Sequence, residues 1–214
     1  MSSSRSLAFL VPVAAVAVAL ASALVAPGGA AAQSRSWRVA SGSRIQFVSD
    51  APLERITGTS STVAGELTID PTDLSSARGF VTVAVSSLET ANDLRDEHLH
   101  SDSWLDAAAH PEARFEITSV TGATALTAGE VVRVTLHGNF TIHGHTHSIS
   151  ATAQVRWLQA SDELRADGIT GDLIRAQAQF SLELPDYGVD VNPLVRLKVS
   201  DHIVVNVTLR ATST

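Results

Sequence analysis

The sequence predicts an all-β protein, because apolar and polar residues alternate with period two along most of the chain after Trp37. Such alternation is typical of antiparallel strands that bury one face and expose the other. Turn-forming stretches separate the alternating runs, namely DPTD, TGATALTAGE, SDELRADG and PDYG. A series of antiparallel strands of this kind predicts either a β-sandwich or a β-barrel.

The expected strands follow one another along the chain. They are RIQFVS, GELTID, FVTVAVSSLE, RFEITSV, VVRVTLHGNFTI, SISATAQVRW, AQAQFSLEL and VRLKVSDHIVVNVTLRA. In the last of these, the alternation begins at Val195, Leu197 and Val199 and continues from Ile203. Some apolar positions are small, among them Ala151, Ala153, Ala176 and Ala178. Small inward side chains leave space, and a barrel of about eight strands can hold one small ligand. A barrel filled by its own side chains is the alternative.

Residues 88–113 break the alternation. A short helix can begin at Asn92 or Asp93, and a second can begin near Ser101. One or two short helices are therefore expected around residues 92–109, inserted between two strands. Nothing else in the sequence is predicted to be helical.

The N-terminus has the composition of a secretory signal peptide. A short start containing Arg5 precedes the apolar run LAFLVPVAAVAVALASALV, and the small-residue stretch GGAAAQS follows. This order of regions predicts residues 1–32 as a signal peptide cleaved after Ala32, and residues 33–214 as one folded domain. A retained membrane anchor is the alternative, since the apolar run is nearly long enough to span a bilayer.

Charge and cysteine content exclude several function classes. The 214-residue chain carries 15 basic and 22 acidic residues, and its net charge of −7 becomes −8 without residues 1–32, which contain Arg5 as their one charged residue. An acidic chain without basic clusters is a poor candidate for binding nucleic acid or for electrostatic docking on anionic lipid. Because there is no cysteine, disulfides, a lipoprotein anchor and thiolate ligands are excluded.

Three histidines at alternate positions, His143, His145 and His147, raise the question of a metal site. Apolar residues occupy even positions up to Ile142 and odd positions from Ile149, so the chain is predicted to make a hairpin turn between them. On a turn the three imidazoles are expected to splay into solvent. On a straight strand they would share the polar face and could converge on zinc. The hairpin is preferred, and no built metal site is expected.

A second group of reactive side chains lies in the stretch NDLRDEHLHSD. His98 beside several carboxylates is an arrangement found in acid–base catalysis. A helix surface on which Arg95 is balanced by its acidic neighbours is preferred, with His98 and Leu99 capping one end of the barrel. Nucleophile, phosphate-loop and dinucleotide motifs are absent from the sequence. No enzyme activity, catalytic residue or cofactor is therefore predicted.

Several motifs together resemble the YceI-like family of exported lipid-binding proteins. In order they are LRDEHLHSDSWLD with HPEARFEI, GNFTIHGHTHSI, DYGV and VSDHIVVNVTLRA, and the likeness covers residues 37–212. The resemblance implies an elongated, lipocalin-like antiparallel barrel whose apolar cavity takes a polyisoprenoid or similar amphiphilic lipid. It also implies a periplasmic or secreted location in the bacterial envelope, and no catalytic residues. The stretch APLERITGTSSTVAGEL departs from the family, because it lacks the usual histidine and aromatic residues. A differently shaped or filled pore is expected there.

With the larger apolar residues turned inward, eight side chains are predicted to contact the lipid: Phe47, Val83, Phe115, Phe140, Ile142, Val155, Phe180 and Val205. An apolar or amphiphilic lipid is the expected partner. Nucleic acid and stable membrane insertion after signal cleavage are not expected, and a homodimer is left open. Two other functions also stay open: histidine-dependent metal binding through residues 143–147, and a filled-barrel interaction module in envelope stress.

Overall fold

The computed structural model describes residues 34–214, so the predicted signal peptide lies outside the described residues. Ten strands occur in this part of the chain: β1 Arg35–Val39, β2 Arg44–Asp50, β3 Arg55–Ser60, β4 Val63–Asp70, β5 Asp73–Ala84, β6 Glu112–Thr121, β7 Val131–Ile142, β8 His145–Leu158, β9 Leu173–Glu183 and β10 His202–Ser213. Two short helices accompany them, α1 Asp93–His100 and α2 Asp162–Ala166, with single 3-10 turns at Val85–Ser87 and Leu184–Tyr187.

Eight strands close into a barrel by antiparallel pairing. The order around the ring is β1, β4, β5, β6, β7, β8, β9 and β10, and β10 pairs back to β1 with Trp37 opposite Ser213. The strand β2 continues along the same side of β10, with Ser49 opposite Ile203, and β3 pairs with β2. The prediction of an all-β antiparallel barrel of about eight strands with short inserted helices is confirmed.

The connections between strands define two ends of the barrel. At the end that we call the upper end lie residues 51–54, 85–111, 143–144 and 184–201. At the lower end lie residues 71–72, 122–130 and 159–172, together with the start of β1 and the end of β10.

Large aromatic side chains fill the lower end. Trp37 and Trp157 are 1% and 7% exposed and belong to one apolar cluster with Leu126. The indole Nε1 of Trp37 donates to the carbonyl of Ile69 at 3.1 Å, and that of Trp157 donates to the carboxylate of Asp172 at 3.0 Å. Each buried indole N–H therefore has an acceptor, which removes the main cost of burying tryptophan.

Asp172 joins four segments at this lower end. Besides Trp157 of β8, its carboxylate accepts from the guanidinium of Arg35 in β1 at 2.6 Å and from the amide of Ala160 at 2.9 Å. Its own amide donates to the hydroxyl of Ser213 in β10 at 2.9 Å. The residue is only 8% exposed. A buried carboxylate with this many donors holds together the place where the ring closes.

Residues 101–109 do not form the second helix that was expected near Ser101. They form consecutive turns, in which Asp106 has a φ of +43° and its amide donates to the carbonyl of Ser101 at 2.8 Å. A residue with positive φ cannot continue a right-handed helix. The first expected helix is confirmed as α1, capped by the side chain of Asn92, which accepts from the amide of Arg95.

The stretch SDELRADG, expected to be a plain turn, contains the helix α2. Its cap is Ser161, whose hydroxyl accepts from the amide of Leu164 at 3.3 Å. This hydrogen bond satisfies one of the free amides at the start of a helix, which is the usual role of serine at that position.

The final strand is shorter than the alternation of its apolar residues suggests. β10 begins at His202, and residues 193–198 form turns. The side-chain oxygen of Asn192 accepts from the amide of Leu194 at 2.9 Å, and its carbonyl accepts from the amide of Val195 at 2.9 Å. These local hydrogen bonds favour a turn over a strand. The short strands β1 and β3 were not singled out by the sequence pattern.

Replacing Asp172 with alanine is expected to lower the free energy of unfolding by about 2–4 kcal/mol, because the buried indole N–H of Trp157 and the amide of Ala160 would lose their acceptor. Urea unfolding followed by tryptophan fluorescence measures the change. Glu66→Ala is the matched control, since it removes an exposed ion pair to Arg38 at 3.3 Å and should cost less than about 1 kcal/mol. Equal losses in the two variants would contradict a special role for Asp172.

Candidate functional site

The barrel encloses a cavity of about 890 Å³ between the tryptophans of the lower end and the loops of the upper end. Side chains of every strand except β1 line it, and nearly all of those on the strands are apolar. The volume lies within the range of about 300–1,000 Å³ that is usual for small-molecule sites. The barrel is therefore not filled by its own side chains in the part of the chain that the structure describes.

All eight side chains predicted to contact lipid lie on the wall of this cavity: Phe47, Val83, Phe115, Phe140, Ile142, Val155, Phe180 and Val205. Their contact with a lipid stays a prediction. Of the four small residues noted in the sequence, Ala151, Ala176 and Ala178 line the cavity as well. Ala153 lies instead in the apolar cluster of the lower end.

Two phenylalanine rings lie against the barrel wall where a neighbouring residue is glycine. Phe47 on β2 stands opposite Gly58 on β3, and a Cβ at Gly58 would come within 2.1 Å of the ring. A Cβ at Gly138 on β7 would come within 2.6 Å of the ring of Phe115. The stretch APLERITGTSSTVAGEL has no aromatic residue of its own, and the ring of Phe47 on the adjacent strand extends over its Gly58.

Polar side chains enter the wall of the cavity at its upper end. They are contributed by Glu54, by Arg95 and His98 of α1, and by Asp190 and Lys198 of the segment before β10. Leu99 lines the same end, as the sequence predicted. The cavity is therefore apolar in its depth and charged at its mouth.

The prediction that Arg95 is balanced by neighbouring acids on its own helix is wrong. Its guanidinium pairs with the carboxylate of Glu54 at 2.9 Å, and the two side chains are 32% and 35% exposed. The reason is that both α1 and the β2–β3 turn contribute to the mouth of the cavity, so the side chains meet across it. At this exposure the ion pair contributes about 1 kcal/mol or less to stability.

The hairpin predicted around Gly144 is confirmed as a two-residue turn. His143 and Gly144 have φ values of +51° and +73°, and Ile142 pairs with His145 across it. Positive φ at both central residues is typical of the tight turns that match the twist of a β-hairpin.

The prediction that the three histidines splay into solvent is wrong for His143, which is half-buried, whereas His145 and His147 are exposed. A ring N–H of His143 donates to the carbonyl of Tyr187 at 2.9 Å, and one of His147 donates to the carbonyl of Asp186 at 2.8 Å. The ring of His147 also lies edge-on to that of Tyr187, with 5.0 Å between centroids. The hairpin therefore fastens the 3-10 turn Leu184–Tyr187 at the mouth of the cavity.

On β8, His145 and His147 lie on the face that continues into the cavity wall. His147 stands opposite Phe140 and His145 opposite Ile142, and both of these partners line the cavity. The turn Leu184–Tyr187 lies over this face, which gives the imidazoles partners. Within residues 34–214, no group of three histidine, cysteine or acidic side chains is placed to hold a metal ion.

Tyr187 is the largest polar residue buried at the upper end. It is 2% exposed, lines the cavity, and lies edge-on to Phe140 with 5.7 Å between ring centroids. Burial first, and the nearby charge of Asp186 second, raise the pKa of Tyr187 to about 12. The phenol is therefore neutral at physiological pH and adds no charge to the cavity wall.

The sequence pattern missed the part played by residues 184–201. Tyr187, Val189, Val195 and Val199 all line the cavity from this segment. The alternation of Val195, Leu197 and Val199 was visible, but it was interpreted as the start of a strand. Lys198, the one lysine of the chain, lies in the same stretch and was a further signal that its composition differs from that of the other expected strands.

Replacing both His143 and His147 with alanine is expected to loosen the turn Leu184–Tyr187. Amide hydrogen exchange at Gly188 and Val189, whose amides bond back into that turn, should accelerate about tenfold or more, because two hydrogen bonds of roughly 1 kcal/mol each are lost. Mass spectrometry of deuterium uptake measures the effect.

His137→Ala is the matched control for this pair. Its ring bonds to the hydroxyls of Thr121 and Ser150 on the outer face of the barrel, at 2.9 and 2.8 Å. Exchange at residues 184–189 should be unchanged in this variant. Unchanged exchange in the double variant would contradict the fastening role of the histidines.

Substituting Gly58 with alanine is expected to lower the free energy of unfolding by about 1–3 kcal/mol, because the new methyl group would displace the ring of Phe47. In a Phe47→Ala background the same substitution should cost close to nothing, since the space is then vacant. Urea unfolding of the four proteins in this double-mutant cycle gives the coupling directly. Equal costs in both backgrounds would contradict the close approach of the ring.

The sequence is similar to those of known proteins. The family model of the YceI-like domain matches residues 37–211. A UPF0312 protein of Vibrio campbellii is 28% identical over 136 residues, which cover 64% of this chain and 66% of that protein. Protein YceI of Salmonella newport is 32% identical over 112 residues, 52% of this chain and 53% of that protein. The chain thus spans less than two thirds of the length of these curated relatives.

Two solved structures have a similar fold at low sequence identity. A polyisoprenoid binding domain from Saccharophagus degradans, implicated in plant cell wall breakdown, has a TM-score of 0.64 and 17% identity, over 84% of this chain and 99% of that one. BcnA of Burkholderia cenocepacia has a TM-score of 0.62 and 17% identity, over 79% of this chain and 96% of that one.

None of the helices described within residues 34–214 combines the length and the hydropathy that a membrane-crossing helix requires.

The family assignment rests on the domain match, which covers most of the chain. The barrel, the hairpin and the helical insert lie within the matched range. This chain belongs to the YceI-like family.

Proposed function

We propose that this chain is an exported, non-enzymatic binding protein that holds an isoprenoid or a similar amphiphilic lipid in its barrel cavity. The observation that carries the proposal is the polarity of the cavity, which is apolar in its depth and charged at its mouth. An amphiphile has the same division, with a long apolar chain and one polar end.

Burial of the lipid chain would supply the affinity. Each methylene removed from water contributes about 0.8 kcal/mol, so a long chain needs few directional contacts. The eight predicted side chains, Phe47 and Val205 among them, would line the path of that chain. The polar end would stay at the mouth near Arg95 and Glu54, where charged groups are already partly solvated.

Family relationship supports the same ligand class. The similar barrel from Saccharophagus degradans is described as a polyisoprenoid binding domain, and we extend that ligand class to this chain. The predicted signal peptide over residues 1–32 supports a periplasmic or secreted location, with residues 33–214 as the mature domain.

The two alternative functions receive less support. Histidine-dependent metal binding lacks a group of three metal-ligating side chains within residues 34–214. A filled-barrel interaction module would not need a cavity of about 890 Å³. Neither is proposed.

Solvent extraction of the purified protein followed by mass spectrometry tests the proposal. We expect one lipid per chain in the wild type. The double variant Ala176→Phe with Ala178→Phe should carry at least about threefold less, because two aromatic rings would occupy space along the wall. Gln177→Phe is the matched control, since Gln177 lies on the outer face between them, and its lipid content should equal that of the wild type.

A cooperative thermal transition in all three proteins is required as the folding check. Metal analysis is run on the same preparations. No lipid in any protein, or one metal ion per chain in an empty barrel, would contradict the proposed function.

A further inference from the structure

Exposed leucines surround the mouth of the cavity. Five large apolar side chains are exposed among residues 34–214, and four of them lie at the upper end: Leu53 at 69%, Leu94 at 62%, Leu194 at 90% and Leu197 at 56%. We call these four the rim leucines. Val131, 49% exposed, is the fifth and begins β7 at the lower end.

The rim leucines are contiguous with the cavity. Leu94 itself lines the mouth, and Leu53 is bonded through its amide to the carbonyl of Leu197 at 2.8 Å. Leu194 and Leu197 alternate with Val195 and Lys198, which do line the cavity. An apolar ligand that entered or left by this mouth would therefore pass beside exposed apolar side chains.

Two of these leucines lie in a short basic stretch of an otherwise acidic chain. Residues 191–199, VNPLVRLKV, contain Arg196, Lys198 and no acid, although Asp190 precedes and Asp201 follows this stretch and the chain has a net charge of −7. Arg196 pairs with Asp201 at 3.1 Å, while Lys198 has no ion pair within the described residues. Leucines next to such cations are typical of segments that lie in the headgroup region of a membrane.

We propose that the upper end of the barrel docks reversibly on the surface of a lipid bilayer, with the rim leucines inserted among the headgroups and Lys198 beside the lipid phosphates. The proposal rests on the lipid-binding function proposed above. The overall negative charge opposes docking through charge alone, so the leucines would supply most of the affinity. Asp93 and Glu97 of α1 are also exposed near Leu94, which leaves residues 191–199 as the deepest part of the contact.

The form of the patch favours a bilayer over a protein partner. The rim leucines come from three separate connections, residues 51–54, 85–111 and 184–201, and stand around an opening rather than along one groove. A fluid headgroup layer can accommodate separate projecting side chains, whereas a protein interface requires a continuous complementary surface. A bilayer is also the phase in which water-insoluble isoprenoid chains reside.

The test is flotation with vesicles made of equal parts phosphatidylcholine and phosphatidylglycerol, using protein expressed from the full sequence and purified from the bacterial envelope. We expect the wild type to float with the vesicles, and the double variant Leu194→Ser with Leu197→Ser to bind at least about tenfold more weakly. All proteins carry the same N-terminus, so a difference between them reports on the substituted residues.

Val131→Ser is the matched control, because it removes an exposed apolar side chain from the lower end. It should float as the wild type does. On vesicles of phosphatidylcholine alone, the wild type should bind more weakly but still depend on Leu194 and Leu197, since the leucines insert without regard to headgroup charge.

Lipid extraction from the same preparations separates this proposal from the proposed function. Leu194 and Leu197 do not line the cavity, so extractable lipid should be equal in all variants. Lipid in the cavity without flotation of the wild type, or equal flotation of the double variant, would overturn the docking proposal alone. Leucine-dependent flotation of a protein without extractable lipid would support docking and contradict the proposed function. If the wild type is a dimer that does not float with the vesicles, and the double variant is a monomer, the patch is an interface with a second copy of the chain. That result would overturn docking.

Discussion

The barrel depends on β10, the strand at which the ring closes. Its whole length pairs with β9 on one side, while β2 and then β1 follow each other along the other side. Closure pairs each ring strand on both sides, which limits the edges open to pairing with other chains. The strand β3, which ends the sheet, pairs with β2 on one side. The Asp172 cluster stabilises this closure at the lower end, where the carboxylate joins Arg35 of β1 to Trp157 of β8 and the adjoining amide reaches Ser213 of β10.

The two ends of the barrel differ, and the difference gives the cavity a direction. Trp37 and Trp157 fill the lower end. Because each indole N–H has a hydrogen-bond acceptor, the two tryptophans close this end without leaving a buried polar group unpaired. The upper end is built from connections held together by the Arg95–Glu54 ion pair and by the hydrogen bonds of the hairpin histidines. The Arg95–Glu54 pair is about one third exposed whereas Asp172 is 8% exposed, so solvent weakens the pair at the upper end more.

The strands and the inward face were predictable because alternation over long strands is a strong signal. Across the tight hairpin at Ile142–His145 the inward positions change from even to odd numbers, and this change revealed the turn. Contacts between distant segments were not predictable in the same way. Nothing near Arg95 in sequence indicates Glu54 as its partner, and nothing near His143 indicates the carbonyl of Tyr187. The alternation at Val195, Leu197 and Val199 failed as a strand signal because Asn192 forms local turn bonds. That stretch supplies the mouth of the cavity instead.

A crystal structure of the protein purified without added detergent or lipid tests the central claim most directly. The account predicts continuous elongated density that begins near Arg95 and Tyr187 at the mouth and runs along Phe47 and Phe180 toward the tryptophans, with its polar end at the mouth. A cavity that holds only ordered water, or whose walls have moved together to fill it, would contradict the account.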